Sequence, residues 1–388
     1  MITQSKKISA IQPYFFLNLQ NKIDNLNRNG KEVIRLDIGS PDLPPPASVI
    51  DAFQSNIQKN DVHGYTSTKG PDVFRRAVAS YYQKRFNVTL NPESEITPLL
   101  GSKEGIVNLH QIFIDPGDEI LVPNPGYPSY EFAAMYAGGI PIPYDLDPQN
   151  GFQINLNRIM ALITPRTKML WINFPNNPTG SNIDLDTLQA LVNLAIKHQF
   201  LIINDAPYTD VYFDTFMPPS ILSVPNAREV AVEINSLSKT YHMAGWRIGM
   251  MCGHEDVIKS IRIIKSKVDN STALPIFHAA TTALNMDRTW LFERNQLMKN
   301  RRDIIVEYLK GISPYFAIPQ AGYYLWAKIP SVFNSDFEFC EKALTQAGVS
   351  LTPGSIYGSN GKHFIRICIC QPEETINIAV KRLKAWYS

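Results

Sequence analysis

A chain of 388 residues, 44% of them apolar, can bury one large core and a second, smaller one, so two packed units are expected. Its formal charge is only +2 and it carries no block of like charges, which argues against nucleic acid or an anionic membrane as a partner; the pairs Lys6-Lys7 and Arg301-Arg302 read as solvated surface. No apolar run approaches a membrane span, and Tyr14-Phe-Phe-Leu17 is cut off by Asn18 with no small-residue cleavage site, so the reading is a soluble, cytoplasmic protein.

In chain order, residues 1–32 read as an N-terminal arm. Val33-Ile-Arg-Leu-Asp-Ile38 is predicted as a short strand, ended by Gly39-Ser-Pro-Asp-Leu-Pro-Pro-Pro46, whose four prolines forbid regular structure and fix an extended loop. Helices are predicted over 49–57 and 72–86, separated by the loop His63-Gly-Tyr-Thr-Ser-Thr-Lys-Gly-Pro71.

From Ile96 short apolar runs alternate with helical segments. Ile96–Leu100 leads into Gly101-Ser-Lys-Glu-Gly105, which opens a helix, and Glu119–Val122 is a strand ending in Pro123-Asn-Pro-Gly-Tyr-Pro-Ser-Tyr130. Lys168–Phe174 is a buried strand running into Asn176-Asn-Pro-Thr-Gly180; Asp184 caps a helix to His198, and Phe200–Ile203 is a strand that ends at Asn204-Asp205-Ala-Pro-Tyr208. This alternation predicts an α/β fold with a mostly parallel sheet sandwiched by helices. Past about residue 290 a long charged helix, the segment Ala321-Gly-Tyr-Tyr-Leu-Trp326, a helix over 337–347 and a strand around Arg366 read as a smaller C-terminal α/β unit. The cysteines Cys252, Cys340, Cys368 and Cys370 have neither disulfide-framework nor metal-site spacing and read as buried free thiols; no metal is expected.

The polar residues fall where the strands end, the place where such sheets bind ligands: Ser102, Tyr127, Asn177, Asp205 and Lys239. After the apolar run Val230–Asn235, Lys239 is flanked by Ser236 and Ser238 and followed by Arg247, the parts needed to hold an aldehyde cofactor through the amine and its phosphate through the hydroxyls and guanidinium. The structural alternative is a surface lysine beside a packing arginine, and this stretch alone leaves both open. Gly101-Ser102-Lys103 suits a phosphate or a plain helix cap. Asp205, ending an apolar strand, needs a cationic partner, which a protonated pyridine nitrogen or a structural cation would supply. Tyr208 and Asn177 could reach the same ring or serve their own turns. Tyr127 sits in a proline-fixed loop suited to stacking on a flat ring, or to ordinary packing. Arg366, between Ile365 and Ile367, calls for a carboxylate, and a substrate's would serve.

The set Asn177-Pro-Thr-Gly180, Asp205-x-x-Tyr208, Ser236-x-x-Lys239, Arg247 and Arg366, in that order and spacing, resembles the class I/II aminotransferases, pyridoxal-phosphate enzymes of fold type I, from about Val33 to the C-terminus. The resemblance implies a large cofactor-binding domain over 33–288, a small domain over 289–388, and an arm, 1–32, packed with it. By the same resemblance the cofactor is pyridoxal 5'-phosphate, bonded to Lys239 and paired at its ring nitrogen with Asp205. Asn177 and Tyr208 are expected at the ring oxygen, Tyr127 on the ring face, and Ser102, Lys103, Ser236, Ser238 and Arg247 at the phosphate. Arg366 takes the substrate α-carboxylate, approached by the Gly39 backbone, and Tyr65 reaches the cofactor phosphate of the partner in a homodimer with shared sites. The implied reaction is ping-pong transfer of an amino group from an L-amino acid to a 2-oxo acid.

The stretches "GSKEGI", "PNPGYPSY", "FPNNPTG" and "SLSKTYHMAGWRIG" are most similar to LL-diaminopimelate aminotransferases, which suggests LL-diaminopimelate and 2-oxoglutarate as substrates. Lys103, Glu104, Tyr14, Tyr323 and Lys267 are candidates for reading the substrate's distal end. The same fold admits a carbon–sulfur β-lyase or an aspartate or aromatic aminotransferase. A catalytically silent regulator lacks support, since no DNA-binding extension is attached, and a nicotinamide enzyme lacks a G-x-G-x-x-G turn after the first strand.

Overall fold

The structure, a computed structural model, describes residues 2–3 and 15–387; Lys6-Lys7 and Tyr14 lie outside them. The chain begins with helix α1 (Phe15–Arg28) and the two-residue strand β1 (Ile34–Arg35), followed by α2 (Ala47–Ile57) and α3 (Asp72–Phe86). Strands and helices then alternate: β2 (Ile96–Leu99), α4 (Ser102–Phe113), β3 (Glu119–Asn124), α5 (Ser129–Ala137), β4 (Ile140–Asp145), α6 (Leu156–Leu162), β5 (Thr167–Ile172), α7 (Leu185–His198) and β6 (Leu201–Asp205). After β7 (Ala231–Ser236) come the single turn α8 (Leu237–Thr240), β8 (Gly249–Gly253), α9 (Glu255–Val268) and α10 (Leu274–Asn285). The long helix α11 (Thr289–Lys310) leads to β9 (Tyr324–Lys328), α12 (Asp336–Lys342), the short strands β10 (Val349–Ser350) and β11 (Thr352–Pro353), β12 (Phe364–Cys368) and α13 (Glu373–Trp386).

A seven-stranded sheet in the order β2-β8-β7-β6-β5-β3-β4 forms the centre, parallel except for β8, which runs against both its neighbours. The side-chain alternation of each strand splits its residues between two apolar cores. Leu121, Leu170 and Ile202 face one layer with Phe74, Leu188 and Phe277; Ile120, Trp171, Ile203 and Val232 face the other with Ile106, Tyr130 and Ile261. Helix α7 shows how the local sequence makes this possible: the Asp184 carboxylate accepts from Thr187 N at 2.7 Å, and Leu188, Leu191, Val192 and Ala195 form one buried stripe.

A third core gathers β9, β12, α11, α12 and α13 behind a three-stranded antiparallel sheet, β11-β12-β9, and includes Leu36. The strand predicted over 33–38 is shorter than expected: β1 pairs with β10, and beyond Leu36 the backbone leaves that ladder because Asp37 is claimed by Arg35, Thr352 and Arg366. The four cysteines are buried free thiols. Among the described residues no helix is long and apolar enough to cross a membrane.

Candidate active site

The parallel strands all end on one edge of the large sheet, and a cleft of about 470 Å³ opens there against β9 and β12. Twelve of the residues singled out in the sequence line it. Lys239, one turn beyond β7, lies at its floor and donates to the carbonyl of Gly39. Burial lowers the pKa of that amine, against the opposing pull of Cys370 and Cys368 and with Arg366 and Arg247 adding to the effect.

Asp205, the last residue of β6, is buried in the same cleft. Its Oδ2 accepts from the Tyr130 hydroxyl at 2.7 Å, while Oδ1 is buried with no hydrogen-bond partner. Among the described residues no cationic side chain pairs with it. Burial instead raises the carboxyl pKa to about 6, against the opposing pull of Tyr130. Asn173 stiffens the neighbouring turn, donating to Asp205 O at 2.6 Å and accepting from Asn177 N at 2.8 Å. Asn176 and Thr179 tie off the rest of it, and the Asn177 side chain faces the cleft, where its Oδ1 accepts from Arg366.

At one end of the cleft Ser102, Lys103, Ser236, Ser238 and Arg247 converge. Gly101, at φ 79°, is the helix N-cap and Ser102 the first residue of α4, so Ser102 does not serve as the plain cap weighed above. A Cβ at Gly101 would run into the Arg247 guanidinium, which explains why this turn needs glycine. Arg247 spends two N–H groups on Leu100 O (3.1 Å) and Ala244 O (2.7 Å). Ser236 caps α8 through Ser238 N and donates to the Ser238 hydroxyl at 2.9 Å. Backbone amides at a helix start, hydroxyls and two exposed cations suit a dianion. Tyr127, half-buried above this end, has its ring 5.8 Å from Lys103 Nζ.

At the opposite end Arg366 is buried, with Asn177 Oδ1 at 2.9 Å and Asp37 O as acceptors and, among the described residues, no carboxylate partner. Its guanidinium lies 4.2 Å over the Tyr324 ring. Phe16, Gly39 and Ser40 close this side.

The sequence reading erred at three of the distal candidates. The Glu104 carboxylate turns away from the cleft to bind Lys265 Nζ at 2.7 Å and the amide of Leu100. Lys267 is on the exposed face of α9, since the buried stripe Val257, Ile258 and Ile261 continues to Lys265 instead. Tyr323 points behind the lysine, donating to Lys239 O at 2.7 Å, and its neighbour Tyr324 takes the cleft because adjacent residues face opposite ways. Lys103 does line the cleft, whereas Tyr65 is 91% exposed and outside it. The reading also passed over Tyr130, Asn173 and Tyr324. Asn173 carried a signal, an amide within an apolar run; nothing in the sequence separated Tyr130 or Tyr324 from aromatic residues that only pack.

The family model for aminotransferase class I and II matches residues 31–383. The LL-diaminopimelate aminotransferase of Moorella thermoacetica is 38% identical over 381 residues, covering 98% of this chain and 97% of that protein. Among solved structures, apo BacF from Bacillus subtilis superposes with a TM-score of 0.95 at 30% identity, covering 99% of this chain and 98% of its own. A single mutant of Thermus thermophilus aspartate aminotransferase does so with a TM-score of 0.93 at 28% identity over the full length of both chains.

Proposed function

Because the chain belongs to the class I and II aminotransferases, enzymes that work on amino and 2-oxo acids, we propose that it holds pyridoxal 5'-phosphate in this cleft and uses LL-diaminopimelate as amino donor and 2-oxoglutarate as acceptor. The observation that carries the cofactor is Asp205: a buried carboxylate oxygen without a partner, in a cleft whose other end offers hydroxyls, amides and cations. A protonated ring nitrogen would satisfy that oxygen, and a phosphate would satisfy the cradle. When bound, the cofactor's ring supplies a sink for the electron pair released as the substrate Cα–H bond breaks.

The protein's own residues do the rest. Lys239 would hold the cofactor's aldehyde carbon, and its amine, whose pKa burial lowers, would serve as the general base for the substrate Cα proton. Asp205 would keep the ring nitrogen protonated, and Tyr208 and Asn177 would serve the ring oxygen. Tyr127 would cover the ring, while Ser102, Lys103, Ser236, Ser238 and Arg247 would hold the phosphate. Arg366 takes the α-carboxylate, its unpartnered Nε leaving donor capacity, and Gly39 brings its backbone alongside.

We further propose a cytoplasmic homodimer in which the exposed Tyr65 reaches the partner's cofactor phosphate. The chain divides at about residue 288 into a cofactor unit, 33–288, and a smaller unit, 289–388, with the arm of 1–32, in its described part 15–32, on the smaller one; the ladder of β1 with β10 adds a link between them. LL-diaminopimelate as donor is supported by the name of the Moorella thermoacetica relative.

The test is a half-reaction. Protein loaded with pyridoxal phosphate is mixed with single amino acids, and the cofactor absorbance is followed. Conversion to the pyridoxamine form by LL-diaminopimelate, faster than by aspartate, glutamate or aromatic amino acids, is expected. Preference for one of the others overturns the donor, and release of pyruvate and ammonia with no pyridoxamine form makes the protein a lyase.

A further inference from the structure

Tyr324 is buried at the start of β9, and its phenol oxygen is 2.8 Å from that of Tyr208. Of two phenols in contact one donates and the other accepts, and the surroundings decide which. The Arg366 guanidinium lies 4.2 Å over the Tyr324 ring, and positive charge held against a phenol ring strengthens its O–H as a donor. Gly39 makes room for this arrangement, because a Cβ there would collide with the Tyr324 hydroxyl. With Tyr324 donating, the Tyr208 oxygen is occupied as an acceptor and its own proton turns elsewhere, into the cleft that both rings line. The other ionisable groups near the pair include Asp205 and Tyr323 on the Tyr208 side and the Cys368 and Cys370 thiols on the Tyr324 side.

We infer that Tyr324 is a positioning residue that fixes the Tyr208 hydroxyl as a hydrogen-bond donor into the cleft and, through its contact with Arg366, ties that donor to the group that takes the substrate carboxylate. This rests on the reading above in which Tyr208 serves the cofactor's ring oxygen. A phenol donating to that oxygen favours negative charge on it, so weakening the donor raises the pH at which the bound cofactor loses its proton.

The experiment is a pH titration of the visible absorbance of the pyridoxal-phosphate holoprotein for wild type, Tyr324→Phe, Tyr208→Phe and the double variant, with melting temperature and steady-state kinetics alongside. Phenylalanine keeps the ring under Arg366, and the two single variants remove the same hydrogen bond from opposite sides. In Tyr324→Phe the midpoint is expected to rise by roughly half to one pH unit, the size of one neutral hydrogen bond. Its kcat should drop by about fivefold on the same basis, with the donor's KM unchanged. Tyr208→Phe should shift the midpoint further, and the double variant should match Tyr208→Phe alone. An unmoved midpoint in Tyr324→Phe with a lowered melting temperature would reduce Tyr324 to packing. Additive shifts in the double variant would show that the two phenols act independently. If Tyr208→Phe leaves the midpoint in place as well, the assignment of Tyr208 falls, while a holoprotein without a titrating visible band overturns the cofactor reading itself.

Discussion

Asp205 is the residue at which stability and chemistry pull apart. In the protein without cofactor its carboxyl has an ordinary value of 3.8 raised to about 6, with burial as the cause. A carboxyl raised in the folded state contributes stability that is present below its ordinary pKa and lost as pH climbs through the folded value. The shift corresponds to roughly 3 kcal/mol withdrawn between about pH 4 and 7. Asp205→Asn lacks this titration, so the cofactor-free variant should hold a flatter stability profile across that window and match or exceed wild type above pH 7. Urea denaturation at several pH values measures it, and parallel profiles for the two proteins would refute the account. If Asp205 answers the ring nitrogen as proposed, the same variant should release pyridoxal phosphate more readily. This tension was legible in the sequence: a carboxylate ending the apolar run Phe200–Ile203 and an arginine between two isoleucines are costly unless something outside the chain repays them.

At the level of elements, the turn between β2 and α4 shows both what a sequence discloses and what it withholds. The Gly101-Ser102-Lys103 turn was readable as an anion site, but the device that holds it was not. Glu104 accepts from the Leu100 amide and is itself held by Lys265, a fully buried lysine on α9 that also meets Asp269 at 3.1 Å. A lysine continuing the apolar stripe of α9 is a periodicity signal, and weighing Lys267 instead missed it by two positions. Tyr323 was misjudged for a related reason, since only the pairing of β9 with β12 decides which of two adjacent tyrosines shares a face with Arg366. Removing one partner of a buried ion pair costs roughly 3–5 kcal/mol, so Lys265→Met should destabilise by about that much and loosen cofactor binding through the turn. Combining it with Glu104→Gln and Asp269→Asn should recover most of the loss, because no unpaired charge is then left inside. A Lys265→Met protein within about 1 kcal/mol of wild type in urea would mean the pair contributes nothing net.

Across the whole molecule, one loop joins the floor of the cleft to its Arg366 end. Residues 37–46 give the Asp37 carbonyl to Arg366 on β12, the Gly39 carbonyl to Lys239 beyond β7, and the Leu43 carbonyl to His242. Helix α11 holds the same loop from below, where Arg301, 2% exposed, makes a bidentate pair with Asp42 at 2.7 and 2.9 Å. Four prolines restrict the unfolded loop and lower the entropy lost on ordering it. The sequence announced the loop through those prolines; its anchor escaped notice because Arg301-Arg302 looked like solvated surface and Asp42 lies 259 residues away. If the pair sets the height of the loop over the cleft, Asp42→Asn should raise KM for every amino donor by a common factor, about tenfold for each 1.4 kcal/mol of lost alignment. The cofactor absorbance should stay as in wild type, since neither Asp42 nor Arg301 is among the residues proposed to hold the phosphate and ring. Arg301→Met should give the same kinetic signature at a greater cost in stability, because it strands a carboxylate that is mostly buried. In a double-mutant cycle the two effects should couple by at least about 1 kcal/mol in KM. A lowered melting temperature with donor KM values untouched would instead make the pair a brace for the fold that never reaches the site.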